Sequence, residues 1–228
     1  LPGTLYPDEI VVVGGHYDST SQQSGTLAPG AEDNASGCAG VLEMARVLTA
    51  SPQEATVIYI CYAGEEQGLY GSFYHASDLV AAGDDAKVVG MINMDMIGYN
   101  QSASVLDVEL ETGVIGAGMA TILEDAAAEF TSLTTETSTY SYCCSDHEPY
   151  LDRGMPAVLT IEADWNVYPD YHRTTDVPAN LSLDMAEGSE MQLKLKHAKY
   201  TAADGNVEVK IGAGSQIDAQ LDGGRVKV

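Results

Sequence analysis

The chain has 228 residues, 45% of them hydrophobic, which suits one large α/β domain or a domain with an appendage. Its 34 acidic and 10 basic residues give a formal net charge of −24. That balance leaves no basic surface to displace counterions from nucleic acid or to hold an anionic membrane. No apolar run nears the roughly 20 residues of a membrane-spanning helix, and the opening Leu1-Pro-Gly-Thr is not a signal peptide. The expectation is an extracellular protein whose export signal has been removed, in a saline setting where so acidic a surface stays soluble.

In chain order, Ile10 to Gly15 reads as a buried strand ending in His16, Tyr17 and Asp18. A loop rich in Ser, Gly and Pro leads to Ala31-Glu-Asp-Asn-Ala-Ser-Gly37, with Asn34 and Ser36 as candidate helix caps. A helix is predicted over Cys38–Thr49, then a strand over Ala55–Ala63 that runs into Gly64 and the adjacent Glu65 and Glu66. Gly68–Leu79 reads as a helix, Val88–Met94 as a strand ending in Asp95, and Ser104–Leu110 as an edge strand. An Ala-rich helix follows over about Gly116–Phe130, then a short helix over Ser145–Arg153 and a buried strand over Pro156–Glu162. Alternation of strand and helix predicts an α/β fold: a three-layer α/β/α sandwich around a mixed, mainly parallel twisted sheet.

Six of the ten basic residues fall in 191–228. That span reads as a final helix over Met191–Ala202 and a short β-prone tail, with period-two alternation in Asn206–Ile211 and Ser215–Leu221. The division expected is therefore a catalytic domain over 1–190 and a tail over 191–228. The tail is a candidate for packing on the domain or for self-association by strand pairing with another chain.

Three predicted strands end in side chains able to bind a metal. In an open α/β sheet, ligands sit beyond the carboxyl ends of the strands. Paired carboxylates at such an end are costly to bury unless something binds them. The donors are imidazoles and carboxylates without thiolates, a set that suits zinc in an open catalytic site. Cys38 and Cys61 read as small buried hydrophobes, whereas the adjacent Cys143 and Cys144 are compatible with a vicinal disulfide, two thiols or pairing elsewhere. His75 and His197 belong to no motif and are expected at the surface.

The strings Gly14–Ser19, Gly30–Gly37, Gly64–Ser72, Asn93–Met96, Ser145–His147 and Tyr168–Asp176 occur in that order. Together they resemble the zinc-dependent exopeptidases of clan MH, metallopeptidase family 28, the bacterial aminopeptidases especially. The resemblance covers about residues 5–190. It implies two zinc ions, with Asp33 bridging, His16 and Asp95 completing one site, and Glu66 and His172 the other. It implies Glu65 as general base, Asp18 as the group orienting His16, and Tyr142 as a hydroxyl near the reacting carbonyl. His147 is expected to support the site by hydrogen bonding.

The implied substrates are peptides with a free N-terminus, their first side chain received by an apolar pocket of Met96, Leu159, Ile161, Trp165 and Tyr168. A carboxypeptidase would need a cation for the substrate's carboxylate, and only Arg153 and Arg173 lie near the motifs. A glutaminyl-cyclase relative would use one metal. Family members carry several tens of residues before the first His motif, so part of that fold is expected to be absent, leaving the Ile10 strand as an exposed edge. This motivates a rival reading, a structural or assembly protein on a peptidase fold. All five ligands and the general base are present, which favours the enzyme.

Overall fold

The computed structural model describes residues 1–100, 107–139 and 144–182, together with tail strands 207–211, 215–222 and 225–227. The sheet of the main body is built from β1 (Tyr6–His16), β2 (Ala55–Tyr62), β3 (Val88–Met94), β4 (Asp107–Glu111), β5 (Thr134–Ser138) and β6 (Ala157–Glu162). The order is β2-β1-β3-β6-β4-β5. Strands β2, β1, β3 and β6 are mutually parallel; β4 runs antiparallel to β6 and parallel to β5. The sheet is thus mixed and mainly parallel, as expected.

Period-two alternation places successive side chains on opposite faces. Val11 and Val13 of β1, Ile92 and Met94 of β3, and Val108 and Leu110 of β4 pack with Val41, Met44 and Leu48 of α1 (Gly37–Leu48) and with Ala120 and Leu123 of α3 (Ala117–Phe130). Ile10, Val12 and Met91 face the other way, onto Ala76 and Leu79 of α2 (Tyr70–Ala82) and Tyr150 and Leu151 of α4 (Glu148–Leu151). Two helical layers therefore enclose the sheet.

The first turn of α1 lies directly on the sheet because glycines leave room for it. A Cβ on Gly37 would fall 2.3 Å from the Met94 carbonyl oxygen, and one on Gly15 2.6 Å from the same atom. Asn34 caps this helix, its Oδ1 accepting the Gly37 N–H at 2.9 Å. Ser36 does not act as a cap; its hydroxyl donates to the Glu32 carbonyl and accepts the Ile97 N–H.

Three expectations are corrected. The strand led by Ile10 is not an edge, since β1 lies between β2 and β3. Nor is β4, because Thr134–Ser138 adds an outer strand beside it. His75 is half-buried rather than at the surface, with Nδ1 paired to the Tyr150 hydroxyl at 2.5 Å; that hydroxyl in turn meets Tyr62 at 2.6 Å. In the tail, β7 (Val207–Ile211), β8 (Ser215–Asp222) and β9 (Arg225–Lys227) pair antiparallel in sequence. The predicted 191–202 helix, His197, Tyr142 and Cys143 lie outside the described residues.

Candidate metal centre

Because β1, β2 and β3 are parallel, their carboxyl ends deliver His16, the Glu65–Glu66 pair and Asp95 to one edge of the sheet. Asp33 comes from the turn Ala31–Ser36 ahead of α1, and His172 from the loop after β6. His172 and Met96 hold left-handed backbones, with φ of 54° and 53°. That conformation costs a side-chain-bearing residue roughly 1–2 kcal/mol, and such strain concentrates at functional sites.

Two groups of donors result: His16 with Glu65 and Asp95, and Asp33 with Glu66 and His172. His16 Nε2 lies 3.3 Å from Asp33 Oδ1, 3.4 Å from Asp95 Oδ1 and 3.9 Å from Glu65 Oε2. His172 Nε2 lies 2.9 Å from Asp33 Oδ2 and 3.2 Å from Glu66 Oε2. Asp33 thus presents one oxygen to each histidine. His16 Nε2, Glu66 Oε1 and Asp95 Oδ1 are buried without a hydrogen-bond partner. Orphaned donors of nitrogen and oxygen type converging on one space fit a zinc site.

Electrostatics agree. Burial alone would lower the His16 pKa, but the Asp33, Asp95 and Glu65 carboxylates outweigh it and push it up to about 12. Burial pushes Glu65 up to about 9, reinforced by Asp95, Asp146 and Glu66 and opposed by His16. Glu66 rises to about 7, through burial and then Asp33. The excess of negative charge that distorts these groups is the field a divalent cation neutralises.

The partners of this cluster differ in part from expectation. The His16 ring is oriented by the backbone carbonyl of Asp18, 3.0 Å from Nδ1, while the Asp18 carboxylate stands 3.8 Å away. That carboxylate instead accepts the backbone N–H groups of Glu65 and Glu66, at 3.1 and 3.2 Å. It fixes the sharp turn that lets the two glutamate side chains diverge. Ser145 donates to Asp95 Oδ2 at 2.6 Å and accepts from Asn93. Asp176 accepts the N–H groups of Glu32 and Asp33 and the Tyr168 hydroxyl. His147 is fully buried beside Ser145; burial lowers its pKa to about 3, opposed by a hydrogen bond with the Ser145 backbone.

Below the cluster, Glu32 and Glu162 form a buried acid pair. Glu32 Oε1 accepts the Gly98 N–H at 2.7 Å and Glu162 Oε2 the Tyr99 N–H at 2.6 Å. Burial raises both, Glu162 further through Glu32. Through these amide contacts the turn bearing Asp33 and the end of β6 are both held to the segment after Asp95.

A cleft of about 440 Å³ opens over the cluster, lined by Asp33, Glu65, Glu66, Asp95 and His172 and, beyond them, by Met96, Leu159, Ile161 and Trp165. Tyr168 belongs to the same apolar cluster but lies behind the wall, 4.6 Å from the Tyr99 ring, with its hydroxyl on Asp176. Tyr171 takes a place at the surface instead, stacked on His172 at 3.8 Å and edge-on to Trp165. Glu111 of β4 also lines the cleft. Burial, then Glu109, pushes its carboxyl up to about 7.

A family model described as peptidase family M28 matches residues 1–193. The chain belongs to that family.

Leucine aminopeptidase 1 of Trichophyton equinum is 33% identical to this M28 chain over 189 residues, covering 77% of this chain and 50% of that protein. The zinc aminopeptidase BSAP from Bacillus subtilis is 27% identical, with a TM-score of 0.71 over 87% of this chain and 48% of that one. The Legionella pneumophila aminopeptidase LapA shares the fold, with a TM-score of 0.76 at 23% identity over 85% of this chain and 52% of that one. The M28 chain spans about half the length of the curated relatives it matches. Cys144 is disulfide-bonded while Cys38 and Cys61 are free thiols, which excludes either as its partner.

Sequence reasoning passed over Ser145, Asp176, the Glu32–Glu162 pair, Tyr171 and Glu111. Ser145 and Asp176 stood inside quoted strings, and their polarity beside a ligand was the available signal. Glu111 had only the alternation of Val108-Glu109-Leu110-Glu111 to mark it.

Proposed function

We propose that this chain is an aminopeptidase that removes N-terminal residues from peptides with the help of two zinc ions. The observation that carries the proposal is the sharing of Asp33 between two histidines, with an acid of each group beside it. In the proposed division of roles, His16 and Asp95 would hold one ion and Glu66 and His172 the other, with Asp33 available to both. When bound, the ions would supply Lewis acidity toward the scissile carbonyl and the attacking water. Glu65 is left as the base: it takes the proton of the water and passes it to the departing amine. The Asp18 carboxylate holds Glu65 in place through the Glu65 amide.

The acidic cluster recognises a protonated or metal-directed free amine, which makes the reaction exopeptidic. The first side chain of the substrate then lies against Met96, Leu159, Ile161 and Trp165, so residues with substantial apolar surface are accepted. The net charge of −24 supports a saline, extracellular setting for this activity.

The test is metal content by elemental analysis with hydrolysis of leucine p-nitroanilide, before and after chelation. About two zinc ions per chain, chelator-sensitive release of nitroaniline and resistance of N-acetylated peptides are expected. Cleavage of acetylated peptides as fast as free ones would overturn the exopeptidase reading.

A further inference from the structure

We propose that Glu111 makes the substrate pocket a receptor for a basic N-terminal residue, lysine or arginine. The proposal rests on the aminopeptidase reading for the use of the pocket, and on β4 for its chemistry. In the antiparallel register of β4 and β6, Glu111 stands opposite Leu159 and Glu109 opposite Ile161. Directly opposed residues share a face of the sheet. Leu159 and Ile161 belong to the apolar cluster with Met96 and Trp165, so both glutamates share that face of the sheet, and Glu111 reaches the cleft lining. The alternate residues, Val108 and Leu110, are fully buried on the opposite face. Glu111 therefore has no route into the other core layer, and its carboxylate is presented beside Leu159 on the lining of the cleft.

Among the described residues, no cation is paired with Glu111: no lysine, arginine or histidine forms an ion pair with it. Among the described residues, the cleft lining contains no lysine or arginine, and its one histidine, His172, is engaged with Asp33 and Glu66. Lys87, Arg46 and Arg153 are used elsewhere, on Asp84, Glu43 and the Phe73 ring with Ser77 respectively, and Arg173, next to His172, neither lines the cleft nor forms an ion pair with Glu111. A half-buried carboxylate in an apolar wall is costly without a partner. Lysine and arginine match the wall in both of its parts. Their methylene stems cover apolar surface while the charged head reaches a polar group at the end. Charge-assisted hydrogen bonds to a carboxylate, bidentate for arginine, supply the discrimination. An aliphatic residue such as leucine fits the near part of the pocket and leaves Glu111 unanswered.

The experiment separates charge from shape. With the zinc-loaded protein, kcat/KM is measured for arginine and citrulline anilides, which differ in charge at nearly constant shape, and for lysine and norleucine anilides. Preference for each cationic member by about tenfold or more is expected. Glu111→Gln should lower both ratios at least fivefold, toward one. Equal rates for arginine and citrulline in the wild type, or ratios untouched by Glu111→Gln, overturn the inference while leaving the peptidase reading intact. If no anilide is cleaved, that reading fails instead, and calorimetric binding of argininamide and citrullinamide decides the pocket. Argininamide binding about tenfold tighter, lost in Glu111→Gln, upholds the receptor; equal affinities overturn it.

Discussion

His172 Nε2 meets one oxygen of Asp33 at 2.9 Å while the other oxygen of Asp33 lies 3.3 Å from His16 Nε2. A single carboxylate therefore stands between the two donor groups, and its removal affects both. Asp33→Ala should lose metal and activity together. Elemental analysis after dialysis checks this, and retention of two fully occupied metals would refute the bridging role.

Glu65 is the acid of the cluster left without a ligand role in the proposed division. Glu65→Gln removes the proton acceptor at nearly constant shape, so metal content should stay near wild type while kcat falls by about 100-fold or more. Turnover near that of the wild type would show that another group takes the proton.

Asp18 presents its carboxylate to two amides, those of Glu65 and Glu66. Asn at this position keeps one acceptor oxygen and sets an N–H₂ against the second amide. Asp18→Asn should cost roughly 10–100-fold in activity or metal affinity, as the loss of an outer partner does at metal sites. Isothermal titration with zinc and steady-state rates separate the two.

His147 supplies a pH dependence of stability whose sign is fixed. Unfolded, its imidazole takes a proton near pH 6.5; folded, burial keeps it neutral down to about pH 3. Protonation thus favours the unfolded chain as pH falls below 6.5. The contribution is complete above that value and declines by up to about 1.4 kcal/mol per unit toward pH 3. Chemical denaturation of the chelated protein at pH 7, 6, 5 and 4 should show a shallower decline in His147→Gln than in the wild type. Parallel curves would contradict the assignment.

The seat of α1 gives a test of packing. Gly37→Ala sets a methyl 2.3 Å from the Met94 carbonyl oxygen and 2.4 Å from Asn34 Oδ1. Overpacking of this kind costs about 1–3 kcal/mol. Gly118→Ala, on the exposed side of α3 with nothing within 4 Å of the new methyl, should instead stabilise by up to about 1 kcal/mol. Urea midpoints of the two variants should move in opposite directions.

Much of this molecule was legible before folding. Continuous apolar runs marked β1, β2, β3 and β6, because strands covered on both faces are apolar throughout. The acids and histidine that follow those runs carried the site. Pairing order was not legible: nothing in Ile10–Gly15 says that β2 lies beside it, so the strand was misread as an edge. β5 escaped because Thr134-Thr-Glu-Thr-Ser138 has no apolar alternation, being exposed at the rim. Asp18 was assigned to the imidazole because the two are close in sequence. Its carboxylate stands 3.8 Å from the imidazole and also accepts two amides 47 and 48 residues further on, where only the fold brings them.

The reversed direction of β4 has one more effect. Every proposed metal ligand lies on a segment that borders β1, β2, β3 or β6, whereas β4 contributes none and still places Glu111 on the cleft lining. Exchange of the side chain at 111 would therefore alter the pocket while leaving the proposed metal ligands untouched.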